Sequence, residues 1–242
     1  GLVGALKRNL SRQHSRVRLF ESGVRFVLQD DVLKEENVLS GVAYGDVLPE
    51  QWSTVGQSTD LFDIKADLLS LFALTGNGNT FDFSAGEHPA LRPGRTALIS
   101  RDGQPIGWLG ELHPALVKKT GLAAAPILFE LLMAPMLASR VTQFAEVSKF
   151  PAVRRDIAVV VQESLPVAEI EKVVSESAGS TLRDVVVFDI YAGKNIDSGS
   201  KSVALGLILQ ETSRTLNDAD VDKIIHTVTD RLSSEFNATI RE

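Results

Sequence analysis

Apolar side chains recur at every second position in several stretches after residue 150, a spacing typical of β-strands with one buried face. The alternation is clearest in Ile157–Val161 and Lys201–Gln210, and a further strand is predicted over Val185–Tyr191. A short last strand is predicted over Phe236–Ile240, where Phe, Ala and Ile alternate with polar residues. The second part of the chain is therefore predicted to contribute four strands to one sheet.

Two other stretches after residue 150 carry apolar residues three and four positions apart, which is the spacing of an amphipathic helix. The first begins after Pro166 and ends at Gly179, in keeping with the preference of proline for helix starts and glycine for helix ends. The second begins at Asn217, which can cap the helix together with Asp220. The resulting order of elements, βαββαβ, predicts the ferredoxin-like split motif.

The first part of the chain has a less regular pattern, in which predicted strands outnumber predicted helices. Residues Arg101–Gln104 separate two apolar stretches and predict a hairpin turn. Because few helices are available to connect parallel strands, we expect a mainly antiparallel α+β sheet. The predicted helices are Leu2–Gln13, Asp60–Leu74 and a short one from Pro114, and the predicted strands are Val17–Leu28 (one strand or two), Val38–Tyr44, Thr96–Ser100, Pro105–Leu109 and Ile127–Leu131.

Composition narrows the functions that this chain can have. It contains no cysteine, which excludes a disulfide scaffold, a thiolate zinc site and a cysteine nucleophile. Its formal net charge of −6 argues against a nucleic-acid binder that relies on charge alone. No apolar run reaches the roughly 18 residues of a transmembrane helix, so no membrane partner is expected. The chain does not begin with methionine, and we expect it to be a fragment of a longer protein.

Motifs for catalysis or cofactor binding are weak. The glycines of Gly76–Asn79 are not followed by the Lys-Ser/Thr of a phosphate-binding loop, and the four histidines are far apart in the sequence. We therefore predict no metal, no cofactor and no catalytic residue in the chain itself. A hydrolase with a Ser-His-acid triad remains a weaker alternative, because triads are assembled in space rather than in sequence.

The stretch from residue 7 to residue 25 contains six basic residues and only one acidic residue, Glu21. Such a cluster is either an RNA-binding patch or the polar side of a helix that packs on another part of a longer protein. The sequence leaves both interpretations open. The basic residues are Lys7, Arg8, Arg12, Arg16, Arg18 and Arg25.

The predicted βαββαβ sheet carries small, polar or basic residues on the side opposite its apolar positions. Because both helices cover one side, the other side is free for solvent, another domain or RNA. Small residues would let an RNA backbone approach closely, and arginines at the rim could hold phosphates. Tyr191 is the only aromatic residue placed to stack, and Lys194 and Lys201 lie in or beside the loop that follows it. The residues predicted on this side are Arg154, Asp156, Ala158, Ser202, Ala204, Gly206, Asn237, Thr239 and Arg241.

Several spaced motifs resemble one family in the family's order, the bacterial phenylalanyl-tRNA synthetase beta chain. Residues 150–158 (FPAVRRDIA), 187–193 (VFDIYAG), 199–202 (GSKS) and 214–218 (RTLND) resemble its C-terminal anticodon-binding domain. The first part resembles its catalytic-like module, although Arg92 stands where that family tends to have histidine. The matching stretches there are 18–23 (RLFESG), 63–65 (DIK), 92–97 (RPGRTA) and 107–114 (GWLGELHP).

The sequence pattern becomes regular after Val141–Pro151, which predicts a domain boundary there, and the resemblance implies two domains. Residues 1–145 would form a class II synthetase-like antiparallel sheet module that has lost its active site. Residues 149–242 would form a ferredoxin-fold domain that binds the anticodon stem-loop of tRNA(Phe), with Arg154, Asp156, Tyr191, Ser202, Thr239 and Arg241 shaping the RNA face, and Lys194 and Lys201 beside it.

The same resemblance implies a cytoplasmic (αβ)₂ assembly, in which the alpha chain performs adenylation with ATP and magnesium. The fragment itself would hold no cofactor and would only bind. The alternative from another class is a pure assembly module, in which both sheets pack on protein and RNA is not contacted directly.

Overall fold

The computed structural model describes residues 1–29, 31–76, 80–139 and 147–241. The chain divides into two compact units, Gly1–Gln143 and Phe144–Glu242. Each unit has its own sheet and its own buried apolar residues.

The first unit is built on a six-stranded antiparallel sheet with the strand order β1-β2-β6-β5-β4-β3. Antiparallel neighbours follow from short hairpin connections, as the scarcity of crossover helices predicted. The elements are α1 (Leu2–Leu10), β1 (Val17–Gln29), β2 (Val32–Tyr44), α2 (Leu61–Ala73), β3 (Phe81–Ala85), β4 (Leu91–Arg101), β5 (Gln104–Leu112), α3 (Pro114–Thr120), β6 (Ile127–Leu132) and α4 (Met133–Leu137).

Helices cover both faces of this sheet. Asp60 caps α2 through the backbone N–H groups of Phe62 and Asp63, and the helix then buries Leu68 and Phe72. Phe72 stacks on Phe81 of β3 with ring centroids 3.9 Å apart. On the opposite face, Leu6 of α1 is fully buried in a second apolar cluster.

Several predicted bounds in the first unit were wrong, and one strand was missed. The first helix ends at Leu10 rather than Gln13, β2 begins at Val32 rather than Val38, and β3 was not predicted. The distal part of the β1–β2 hairpin is exposed on both faces, as Leu33 on one side and Val32 on the other illustrate. Without a buried face, residues 32–37 (VLKEEN) have no alternating pattern for the sequence to show.

The second unit has a four-stranded antiparallel sheet with the strand order β10-β7-β9-β8. The predicted inward positions, Ile157, Val159, Val161, Val203, Leu205, Leu207 and Leu209, are all buried with the apolar faces of the helices, which confirms that prediction. The α+β class with a ferredoxin-like second part is thereby confirmed. The elements are β7 (Val153–Gln162), α5 (Val167–Ala178), β8 (Leu182–Tyr191), β9 (Ser200–Leu209), α6 (Asp218–Phe236) and β10 (Thr239–Ile240).

The predicted last strand began too early. Phe236 is the final residue of α6, and Asn237 ends that helix in the left-handed conformation, with φ of 52°. Asparagine tolerates this conformation better than most residues, which makes it a helix stop. Asn237 therefore does not belong to the sheet, and β10 contains only Thr239 and Ile240.

Candidate nucleic-acid interface

Among residues 147–241, no helix covers one of the two faces of the second unit's sheet. We define the open face as the side that carries Ala158, Ser202, Ala204 and Gly206 at the centre of the sheet. Ala158 pairs with Ala204 across the two central strands, while the adjacent Val159 and Val203 point into the core. Residues with short side chains at the centre make this face shallow.

A β-bulge in the edge strand β8 determines which of its side chains reach the open face. Val187 pairs with Leu205 and packs against the core, but the next paired residue is Asp189, opposite Ala204. Phe188 is the extra residue between them. A bulge shifts the alternation of a strand by one position. Tyr191 therefore lies opposite Ser202 on the open face instead of pointing toward the helices.

Arg154 crosses the open face toward the bulge. Its Nε donates to Oδ1 of Asp156 at 2.7 Å, and its guanidinium carbon lies 5.3 Å from the centroid of the Phe188 ring. A Cβ atom at Gly206 would come within 2.9 Å of the Arg154 Nε, so the glycine leaves room for this side chain. The Phe188 ring therefore also lies on the open face, and half of its surface is exposed.

Arg241, which follows β10, and Tyr191 of β8 meet although these two strands are at opposite edges of the sheet. The backbone N–H of Arg241 donates to the Ala158 carbonyl at 2.8 Å, and its guanidinium carbon lies 5.8 Å from the Tyr191 ring centroid. The small residues between the edges permit this approach. Ser202, directly opposite Tyr191, is 5% exposed despite its position on the open face.

Seven of the eight predicted site residues lie on the open face or beside it. Thr239 pairs with Val160 next to the Ser202 position, and Lys194 lies in the loop after β8, where its carbonyl accepts from the Tyr191 hydroxyl at 3.3 Å. The other members on the face are Arg154, Asp156, Tyr191, Ser202 and Arg241.

Lys201 is not brought to the open face. It pairs with the core residue Val161 and points to the helix side of the sheet. Its ammonium group donates to the carbonyls of Glu163 and Leu165 at 2.9 and 2.6 Å. These bonds hold the turn between β7 and α5, because they satisfy carbonyls that would otherwise lack donors.

Phe188 is the residue of this face that sequence reasoning missed. Phe188 and Tyr191 are three positions apart, so regular alternation places them on opposite sides of a strand. Only the bulge brings both rings to the same side. The available sequence signal was the pair of aromatic residues in one short edge strand.

Three of the six basic residues near the start of the chain form ion pairs or hydrogen bonds within the first unit. Arg18 pairs with Asp67 at 2.7 Å, and Arg25 pairs with Glu36 at 2.7 Å and also with Glu130. Arg16 donates to the carbonyls of residues 46 and 47 at 3.1 and 2.9 Å. These three arginines therefore stabilise the sheet and its loops, and they do not form a free patch.

The part of the chain that the structure describes contains no group of three or more His, Asp or Glu residues that could hold a metal ion. None of the helices described there is both long and apolar enough to cross a bilayer. Burial lowers the pKa of His88, whose ring stacks on Trp108 at 4.5 Å, and Arg25 acts in the same direction while Glu130 opposes them.

The four-stranded antiparallel sheet with two helices on one side has the βαββαβ architecture of a ferredoxin fold. Residues 148–241 match the family model described as the ferredoxin-fold anticodon binding domain. Residues 1–133 match the model described as the phenylalanyl tRNA synthetase beta chain CLM domain. The chain belongs to the phenylalanyl-tRNA synthetase beta chain family, which confirms the resemblance found in the sequence.

Curated relatives agree with this assignment along the whole chain. The chain is 45% identical over 242 residues to the phenylalanine–tRNA ligase beta subunit of Pseudomonas syringae pv. tomato, and covers 31% of that protein. It is 40% identical to the beta subunits of Methylococcus capsulatus and Pasteurella multocida, of which it covers 30% and 31%. The chain thus spans less than a third of the length of the relatives it matches.

Proposed function

We propose that this chain is a binding part of a phenylalanine–tRNA ligase, and that its open face contacts the anticodon stem-loop of tRNA(Phe). The observation that carries the proposal is the pair of half-exposed aromatic rings and two arginines on one shallow sheet face. Proteins recognise single-stranded RNA loops by stacking splayed bases on such aromatic rings. In this proposal the chain performs no chemical step.

Each group on the open face has a role in the proposed contact. Tyr191 offers a ring for base stacking, and Ser202 offers a hydroxyl beneath it. Arg154 and Arg241 can hold phosphates through their guanidinium groups, and Lys194 and Thr239 extend the polar rim. Asp156 orients Arg154 through the ion pair at 2.7 Å. Lys201, whose ammonium group bonds carbonyls, supports the fold instead.

The charge of the second unit limits how strongly it can attract RNA. From residue 151 onward it carries 10 basic and 15 acidic residues. Few phosphates can therefore be neutralised, and affinity must come mainly from stacking and close approach. This favours weak binding with a shallow dependence on salt, because the slope scales with the number of phosphates contacted.

A titration of the full chain with tRNA(Phe) at two salt concentrations tests the proposal. We expect a dissociation constant of about a micromolar or weaker, a shallow salt slope, and weaker binding when Arg154→Ala is combined with Arg241→Ala. Arg231→Ala is the matched control, because Arg231 pairs with Glu176 on the helix side. Undetectable binding at low salt, or equal binding by the double variant, would contradict the proposed RNA face.

The first unit is proposed to pack against the catalytic alpha chain of an (αβ)₂ ligase. The β1–β2 hairpin exposes six large apolar side chains, five of them on one side, and exposed patches of this kind mark protein interfaces. ATP and magnesium would be used on the alpha chain, within a cytoplasmic enzyme. The exposed apolar residues of the hairpin are Phe20, Val24, Phe26, Leu28, Val32 and Leu33.

A pure assembly module is the alternative function, favoured by the size of this apolar hairpin surface. It predicts alpha-chain binding without any RNA contact by the open face, so the tRNA titration separates the two. The chain alone is expected to show no phenylalanine-dependent exchange between ATP and pyrophosphate.

A further inference from the structure

Packing in the apolar core does not explain the position of the Phe188 ring. It is an apolar side chain with half of its surface exposed, on the side of the sheet away from the helices. Its neighbours Val185 and Val187 pack against the core, so the strand is anchored without it. A phenylalanine that only completed a core would be on the other side of β8.

The bulge at Phe188 has a specific consequence for the open face. Bulges redirect side chains locally and are frequent next to binding sites. Here the extra residue brings the rings of Phe188 and Tyr191 to the same side of one edge strand, with only Asp189 and Ile190 between them. Two rings on one side of an edge strand can receive two planar groups of one extended ligand.

Each of the two rings is covered by a guanidinium group in the structure. Arg154 lies 5.3 Å from the Phe188 centroid, and Arg241 lies 5.8 Å from the Tyr191 centroid. A guanidinium is planar and stacks on aromatic faces, as a nucleobase does. At exposed sites this contact is weaker than base–aromatic stacking, so a base can displace the guanidinium.

We propose that Phe188 is a second base-stacking position of the open face, occupied by the Arg154 guanidinium until RNA binds. A base next to the one stacked on Tyr191 displaces Arg154 from the ring. Asp156 keeps the displaced arginine near the face through its ion pair, where it can contact a phosphate of the same strand. The inference deepens the proposed RNA-binding function and depends on it.

The test measures binding of the full chain to the anticodon stem-loop of tRNA(Phe), with Phe188→Leu and Phe188→Tyr. Leucine keeps the apolar volume but removes the ring, and we expect about tenfold weaker binding. Tyrosine keeps the ring, and its affinity should stay within about twofold of the wild type, a change of roughly 0.4 kcal/mol or less. Ile190→Ala is the control, because Ile190 is similarly exposed on the same strand but pairs with the core residue Val203.

A second series distinguishes stacking from a general loss of structure. Stem-loops with a single abasic nucleotide at each loop position in turn are titrated against the wild type and Phe188→Leu. At one position the abasic RNA should bind the wild type about tenfold more weakly, and Phe188→Leu should add no further loss there. At the other positions the leucine effect should remain.

The outcomes separate this inference from the function on which it depends. If RNA binds and requires Tyr191 but Phe188→Leu binds as the wild type does, the second position is wrong and the RNA face remains. If Phe188→Leu weakens binding equally for every abasic RNA, Phe188 does not stack on a base, which overturns the inference. If the chain binds no RNA, both proposals fail together.

Discussion

At the scale of single residues, short side chains decide what the open face can hold. Ala158 and Ala204 let Arg241 reach across the sheet, and Gly206 leaves room for Arg154. Larger residues at these positions would fill the space that a bound strand would occupy. The face is therefore defined by what is small at its centre and by the two rings and two arginines around it.

Replacing Gly206 by alanine should weaken RNA binding while it changes the stability of the fold only slightly. The new Cβ would approach only the Arg154 guanidinium, which is the flexible end of a half-exposed side chain. We expect the free energy of unfolding to change by less than about 1 kcal/mol, with a gain where alanine restricts the unfolded chain. RNA binding should weaken several-fold, because the added methyl group takes up space at the shallow centre of the face, where a bound strand would approach.

The matched control for Gly206→Ala is Gly107→Ala in the first unit. A Cβ at Gly107 would lie 2.1 Å from the Glu130 carbonyl oxygen. This oxygen belongs to the backbone, so displacing it would cost considerable free energy. Overpacking of this kind costs about 1–3 kcal/mol, so thermal unfolding should show a clear loss of stability. Equal destabilisation by both alanines would contradict the account of Gly206.

At the scale of elements, regular patterns could be predicted from the sequence and their interruptions could not. The inward positions of β7 and β9 follow from alternation, and Asn217 caps α6, which begins at Asp218, as the capping residues predicted. The bulge in β8 depends on pairing with β9, which leaves no local pattern. Phe188 was missed for that reason. Lys201 was expected beside the face, and the structure shows that it instead bonds carbonyls on the helix side.

The capping interactions at the start of α6 predict how the stability of the fold depends on pH. Hydrogen bonds from the Arg214 guanidinium and the Asn217 backbone lower the pKa of Asp220. A carboxyl group with a lowered folded pKa stabilises the fold above its unfolded pKa, and that contribution is lost as the pH falls through the folded value. The wild type should therefore lose the contribution of the Asp220 carboxylate below about pH 4, whereas the Asp220→Asn variant lacks this contribution at every pH.

Denaturant unfolding between neutral and acid pH measures this difference. At neutral pH the Asp220→Asn variant should be less stable than the wild type, and the two should converge as the pH falls. Asn217→Ala should cost about 1 kcal/mol at every pH, because it removes the uncharged half of the cap. A constant gap between wild type and Asp220→Asn at all pH values would show that the carboxylate charge is not involved.

At the scale of the whole molecule, the two units offer different kinds of surface. The first unit exposes an apolar hairpin suited to a protein partner, and the second exposes the shallow polar face. This division is in keeping with membership of a family whose members are subunits of a larger ligase. It also explains how an acidic chain can contact RNA, since the proposed contact uses one face only.

Co-expression with the alpha chain of a related ligase tests the role of the hairpin. Phe26→Asp combined with Leu33→Asp should abolish co-purification, because two charges would be buried without partners. Leu74→Asp is the control, since Leu74 is 84% exposed but lies outside the hairpin. Undiminished co-purification of the double variant would mean that the alpha chain binds elsewhere.

The most direct test of the central claim observes Tyr191 itself. The chain has two tyrosines, so labelling with fluorotyrosine gives two fluorine resonances, and Tyr44→Phe assigns them. On addition of the anticodon stem-loop of tRNA(Phe), the account predicts that the Tyr191 resonance shifts while that of Tyr44, in the first unit, stays in place. A Tyr191 resonance that does not change at saturating RNA would contradict the claim that the open face binds RNA.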